Sequence, residues 1–148
     1  MGRSKLGSKS EAGTSCRARL GAAAAMLFAA AVSAAACRPS GPLRITTIQT
    51  GRSLNSDNSV GLHTTRFKPD DTMYVAVLTG GPGSSSITVR WRYVGRLVTE
   101  QTRDVSYPND AATEFHIQNS GGFPPGDYSV DILLDGQPFA TRALRVER

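Results

Sequence analysis

Beyond residue 36 the chain holds one cysteine, Cys37, and two histidines, His63 and His116. A lone cysteine cannot close an internal disulfide, so whatever folds after it must be held together by its core. Two imidazoles and no thiol pair argue against a zinc site, which needs clustered Cys and His ligands. Any acid/base or triad chemistry would have to pass through one of these two imidazoles. An excess of one charge is missing too. The formal net charge is +5, but residues 1–36 carry five Lys/Arg against one Asp/Glu, and the remaining residues carry 12 against 11. With no net field over the rest of the chain to attract a polyanion, no nucleic-acid partner is expected. No window keeps a helical period over several turns.

The basic segment ends at Arg19 and is followed by LGAAAAMLFAAAVSAAA, Leu20 to Ala36. A positive start, an apolar stretch and a small-residue end are the layout of a secretory signal peptide, expected over 1–36. The stretch is near the shortest length able to span a bilayer, about 17 residues, but alanine is weakly apolar and the Ala-rich end invites cleavage, which favours export over an uncleaved anchor. Cys37 follows Ala34-Ala35-Ala36 directly. This resembles the bacterial lipobox, although the pattern prefers Leu at the position of Ala34. Cys37 is therefore the expected lipidation site, and the membrane is the expected partner through a lipid anchor. Plain cleavage at an A-x-A site would instead leave an unpaired thiol in an oxidising compartment. Residues 37–42, CRPSGP, read as a short tether. In a host with two membranes, Arg38 rather than Asp after the lipidated cysteine favours the outer membrane.

Residues 43–148 match the size of one immunoglobulin-type domain, about 100 residues. Short β-branched and aromatic runs alternate with turn signals, the pattern of an all-β sandwich or barrel. Strands are predicted over 43–49, 72–79, 87–94, 97–105, 113–118, 128–134 and 139–146. Ile87, Val89, Trp91 and Tyr93 alternate with Thr88, Arg90 and Arg92, which puts the first set on the core face. The same parity turns Tyr128, Val130, Ile132 and Leu134 inward, with Phe115 and Ile117, and leaves His116 outward; Met73, Val75 and Val77 are taken as the inward set of their strand. Asp135-Gly136 predicts a tight hairpin. Pro124-Pro125-Gly126 ahead of an inward Tyr128 is similar to the tyrosine corner of immunoglobulin sandwiches, and Trp91 falls on the strand equivalent to C, where those domains bury a Trp.

The segments Phe67-Lys-Pro-Asp-Asp-Thr-Met-Tyr74, Trp91-Arg-Tyr93, Thr113-Glu-Phe-His-Ile117, Gly122-Phe-Pro-Pro-Gly-Asp-Tyr128 and Leu134-Asp-Gly136 carry a further likeness. On them the chain resembles a group of bacterial immunoglobulin-like lipoproteins of unknown activity. The resemblance implies an immunoglobulin-like β-sandwich of about seven strands and an exported, envelope-exposed protein. It transfers no catalytic residue and implies no cofactor. Phe123 stands where the pattern carries Trp.

The stretch Thr79-Gly-Gly-Pro-Gly-Ser-Ser-Ser86 invites a phosphate-loop or nucleophile reading. A P-loop needs a Lys after its glycines and a following helix, and a nucleophile elbow needs G-x-S-x-G; neither is met, so the stretch is expected to be a flexible connection between strands. Asp57, Asp70 and Asp71 lack the spacing of a calcium loop. Together these features point away from an enzyme and from a metal or cofactor. The surface feature that stands out is Arg90 and Arg92, outward on one strand, with Arg96 just beyond. They are the expected contacts for another envelope protein, opposite Asp131 if strands C and F pair, and the competing reading is a solvated ion-pair face. Phe123 is added as a contact at the end expected to face away from the membrane. The function expected is a non-catalytic lipoprotein acting as an interaction or accessory module. The alternative is a secreted hydrolase or a carbohydrate-active accessory domain.

Overall fold

The structure, a computed structural model, describes residues 41–148. Its elements are β1 (Arg44–Gly51), β2 (Arg66–Phe67), β3 (Met73–Gly80), β4 (Gly83–Tyr93), β5 (Arg96–Tyr107), β6 (Ala111–Ile117), β7 (Gly126–Leu134) and β8 (Gln137–Val146). They form a three-stranded sheet in the order β1-β3-β6 and a five-stranded sheet in the order β2-β8-β7-β4-β5. All pairings are antiparallel except β2 with β8. Leaving β2 aside, this is the A-B-E and G-F-C-C′ arrangement of an immunoglobulin-like sandwich, with β4 as C and β7 as F.

Strand parity fills the space between the sheets. From the five-stranded sheet come Ile87, Val89, Trp91, Val130 and Ile132, and from the three-stranded sheet Met73, Val75, Val77 and Phe115; all are fully buried. Tyr128 joins them, and its hydroxyl donates to the carbonyl of Pro124 at 3.0 Å, four residues upstream. This is the bond expected of a tyrosine corner, and it fixes the entry into β7.

Two expectations are corrected. The glycine-serine stretch is much less of a loop than its composition suggests: β3 runs to Gly80 and β4 begins at Gly83. Ser84, Ser85 and Ser86 are strand residues paired with Ser106, Val105 and Asp104 of β5. Only Gly81-Pro82 turns the chain, passing it from one sheet to the other. An eighth strand, β2, also exists between the strands predicted over 43–49 and 72–79, where none is predicted. Ahead of it, residues 51–63 fold back through bridges Gly51↔His63 and Leu54↔Val60. Gly51 is required there, because a Cβ at that position would lie 2.0 Å from the Leu62 carbonyl oxygen.

Two hairpins use positive-φ pairs. In Asp135-Gly136 the angles are 50° and 78°, as the Asp-Gly signal predicts, and in Val94-Gly95 they are 46° and 77°. Val94 is β-branched and 69% exposed, so its left-handed backbone costs on the order of 1 kcal/mol with little burial to offset it. Val94→Asn is therefore expected to stabilise the domain by about 0.5–1 kcal/mol, read as a higher urea midpoint at unchanged m-value; an unchanged or lower midpoint would show that the turn is relaxed with valine.

The loops collect at two ends. At the first, the Gly41 carbonyl accepts from Ser84 N, Leu43 N donates to Ser85 Oγ, and Asp135 N donates to the Ser86 carbonyl. The start of β1, the β3–β4 turn and the β7–β8 turn thus lie together. At the second, Val94 N donates to the Asp127 carbonyl and the Tyr93 hydroxyl to that of Pro125. The β4–β5 turn and the segment 118–125 share that end.

Candidate functional site

Arg90 and Arg92 project from the outer face of β4, the face opposite the core, because their neighbours Val89 and Trp91 are committed inward. β7 is the partner expected for this strand, and Arg90 lies directly across from Asp131 in the register. The ion pair to Asp131 is offset from that register, while Arg90 pairs with the residue opposite it in β5. Arg92 Nε donates to Asp131 Oδ2 at 2.7 Å, and Arg90 Nε donates to Glu100 of β5. Thr141 of β8 donates a second hydrogen bond to Asp131, at 2.7 Å. Four strands are thereby linked across one face. Partial burial pushes the Asp131 pKa up, but hydrogen bonds from Arg92 and Thr141 and the charges of Arg92 and Arg90 outweigh it and hold the carboxyl below its usual value.

The sign of that shift sets a pH dependence. A carboxyl with a depressed folded-state pKa contributes stability above the ordinary Asp value of about 3.9 and loses it as pH falls through the folded value. The difference in urea midpoint between wild type and Asp131→Asn is therefore expected to be larger at pH 7 than at pH 3. Equal differences at both would mean that the Arg92 pair contributes nothing to folding.

Beside the two arginines the outer face is concave, about 390 Å³, walled by Asp131, Leu133, Pro138 and Phe139. The Phe139 ring is half exposed. No periodicity signals it: the pattern of β8 reads exposed through Phe139, and only the sheet register brings it beside the arginines. With each guanidinium paired to a carboxylate, the face is a neutral, hydrogen-bonded lattice with one exposed ring and not a cationic patch.

The remaining predicted residues are dispersed. Arg96 lies beyond the outer-face lattice at the second end, exposed and without an ion pair among the described residues. Phe123 shares that end, but its expected role as an exposed contact is corrected: it is 6% exposed and packs edge-on against Tyr128 at 5.9 Å. The adjoining prolines and the tyrosine corner fold its ring over the open end of the sandwich. Cys37 lies outside the described residues, as do residues 1–36 and the tether up to Ser40.

His116 is exposed, as its parity predicts, and its Nδ1 lies 3.0 Å from Glu114, which also accepts from Arg103 at 3.0 Å. Burial raises the Glu114 pKa, but these hydrogen bonds prevail and the net shift is downward. With Gln101 Nε2 donating to the His116 carbonyl and Tyr107 hydrogen-bonded to Thr113, the group ties β5 to β6. It closes the open side between the sheets, and among the described residues no serine or cysteine side chain is hydrogen-bonded to the imidazole. Asp71 is engaged by Arg52 at 2.9 Å and Asp57 by Ser59. Among the described residues no three His, Cys, Asp or Glu side chains gather as a metal site.

No protein-family model matches the chain, and no curated protein matches it by sequence. Among solved structures it is similar to an immunoglobulin-like protein from Pseudomonas aeruginosa, with TM-score 0.50 and 12% identity over 72% of this chain and 98% of that one. A β-glucosidase from Listeria innocua, solved with glucose, aligns at TM-score 0.43 and 13% identity over 69% of this chain but 16% of its own, a likeness too low to carry an argument. The first likeness concerns the fold alone. The chain is an all-β, immunoglobulin-like sandwich.

Proposed function

We propose that this protein is a non-catalytic, envelope-exposed lipoprotein, anchored through a lipid on Cys37 and serving as an interaction module. The observation that carries the reading is the fixed point of the tether. Gly41 is held to β4 by the Ser84 amide, so only four residue steps separate Cys37 from the folded domain, at most about 14 Å when extended. An acyl group on Cys37 would keep the Gly81-Pro82 end at the membrane surface. The second end and the outer face of the five-stranded sheet would then be presented away from it. Partner contact falls on that outer face, where Phe139 stands exposed beside Arg90 and Arg92; aromatic and arginine side chains are the types enriched at protein interfaces. Because both guanidiniums are already paired, recognition there would rest on shape and on the ring more than on net charge.

Cysteine labelling in intact envelopes tests the orientation. Pro82 and Ser120 are both exposed and lie at opposite ends. A membrane-impermeant maleimide, applied where it reaches the face carrying the domain, is expected to label Ser120→Cys well ahead of Pro82→Cys. Equal labelling would overturn the short-tether geometry.

A further inference from the structure

The second end holds a groove that the tether reading does not use. It is about 400 Å³ and is walled by Tyr93, Val98, Ile117, Phe123, Pro124 and Tyr128. Three aromatic rings form one side: Tyr93 and Tyr128 lie 4.7 Å apart, and Phe123 meets Tyr128 edge-on. Both tyrosine hydroxyls are tied to backbone carbonyls, of Pro125 and Pro124, so the rings offer the groove their apolar faces. On the opposite side the register of β5 slips between Trp91 and Arg92, making Val98 an extra residue in the strand. Its half-exposed side chain lines the groove. A small, mostly apolar concavity with few polar groups is the form taken by small-molecule sites.

Charge at the rim gives the occupant its chemistry. Arg96 is paired directly across from Tyr93, and residues directly opposite in an antiparallel ladder share a face with Cβ atoms about 5 Å apart. Arg96, exposed and without an ion pair among the described residues, therefore starts beside Tyr93, next to the residues that line the groove. No carboxylate is among the lining residues, and the polar groups present, Thr99, Gln118 and Asn119, are neutral. An apolar cleft with an unpaired arginine on the position next to its wall is complementary to a molecule with an apolar chain and one anionic head.

We propose that this groove binds an aliphatic monocarboxylate, with the chain against Tyr93, Phe123 and Tyr128 and the carboxylate at Arg96. The proposal is independent of the anchor on Cys37 and of the outer-face contact. The probe is decanoate, titrated into 15N-labelled protein and followed by amide shifts, with decanol as a neutral and decyltrimethylammonium as a cationic analogue. Saturable shifts are expected at Val98, Ile117 and Phe123, with Kd on the order of a millimolar, the level reachable by about a dozen ligand atoms. Arg96→Glu should weaken decanoate about five- to tenfold while leaving decanol unchanged. Val98→Asp, at a half-exposed position the fold tolerates, should abolish binding while preserving the dispersion of the spectrum. Equal affinity for decanol and decanoate, shifts centred on Phe139 instead, or no saturable shift at all would each overturn the assignment, and Arg96→Glu decides it even if Val98→Asp fails to fold.

Discussion

Trp91→Ala is expected to remove about 3–5 kcal/mol of stability, the usual cost of emptying a buried tryptophan site. Trp91 is fully buried, directly across from Val130 in β7 and Thr99 in β5, so its indole stands in the core on an interior strand of the five-stranded sheet. The surrounding side chains belong to strands locked in ladders and can close only part of the void. Domains of this size are typically stable by 5–15 kcal/mol, and with an m-value of about 1.5 kcal/mol/M the urea midpoint would fall by roughly 2–3 M. Trp91→Phe separates packing from polarity. The indole N–H is buried without an acceptor among the described residues, so phenylalanine loses volume but also removes a donor that folding strips of water. Its cost is expected to be well under half that of alanine. Similar losses for the two variants would mean that the indole N–H is satisfied in solution.

Cys37→Ser is expected to move the protein from the membrane fraction to the soluble fraction in full, with the fold unchanged. The size of the effect follows from the chain itself: the described residues contain no helix able to cross a bilayer, and each acyl methylene buried in lipid contributes about 0.8 kcal/mol that no residue of the sandwich replaces. The serine differs from cysteine by one atom at a position outside the described residues. Urea midpoints of wild type and variant should coincide while their fractionation differs. A variant that stays with the membrane would point to retention by the apolar segment Leu20 to Ala36.

How much of this was legible in the sequence follows from where local pattern and tertiary context agree. Alternation in Ile87-Val89-Trp91 and Tyr128-Val130-Ile132 states which side faces the core, because a one-residue slip would bury Arg90 or Asp131. The Asp135-Gly136 turn and the tyrosine corner follow from equally local signals, and the pairing of β4 with β7 follows from the immunoglobulin-like strand order. The start of β4 was hidden, because glycine and serine have little strand preference of their own, and only the ladder with β5 holds Gly83 to Ser86 extended. β2 was hidden for a similar reason: two residues, Arg66 and Phe67, pair with Arg145 and Val146, a contact remote in sequence.

The candidate site was less legible than the fold. Parity turned Arg90 and Arg92 outward correctly, and topology brought Asp131 opposite. Glu100 as the partner of Arg90 needed the β4–β5 register. Phe123 was misjudged because a phenylalanine among Gly and Pro reads as a loop tip, whereas its ring closes the sandwich against Tyr128. The nearby inward Tyr128, five residues on, was the available signal that an aromatic layer forms there.

Intact-mass analysis of the protein purified from the membrane fraction tests the proposed anchoring most directly. The account predicts a mature chain that begins at Cys37 and carries added acyl mass. A chain that begins at Cys37 with no added mass, or one that retains residues 1–36, would contradict it.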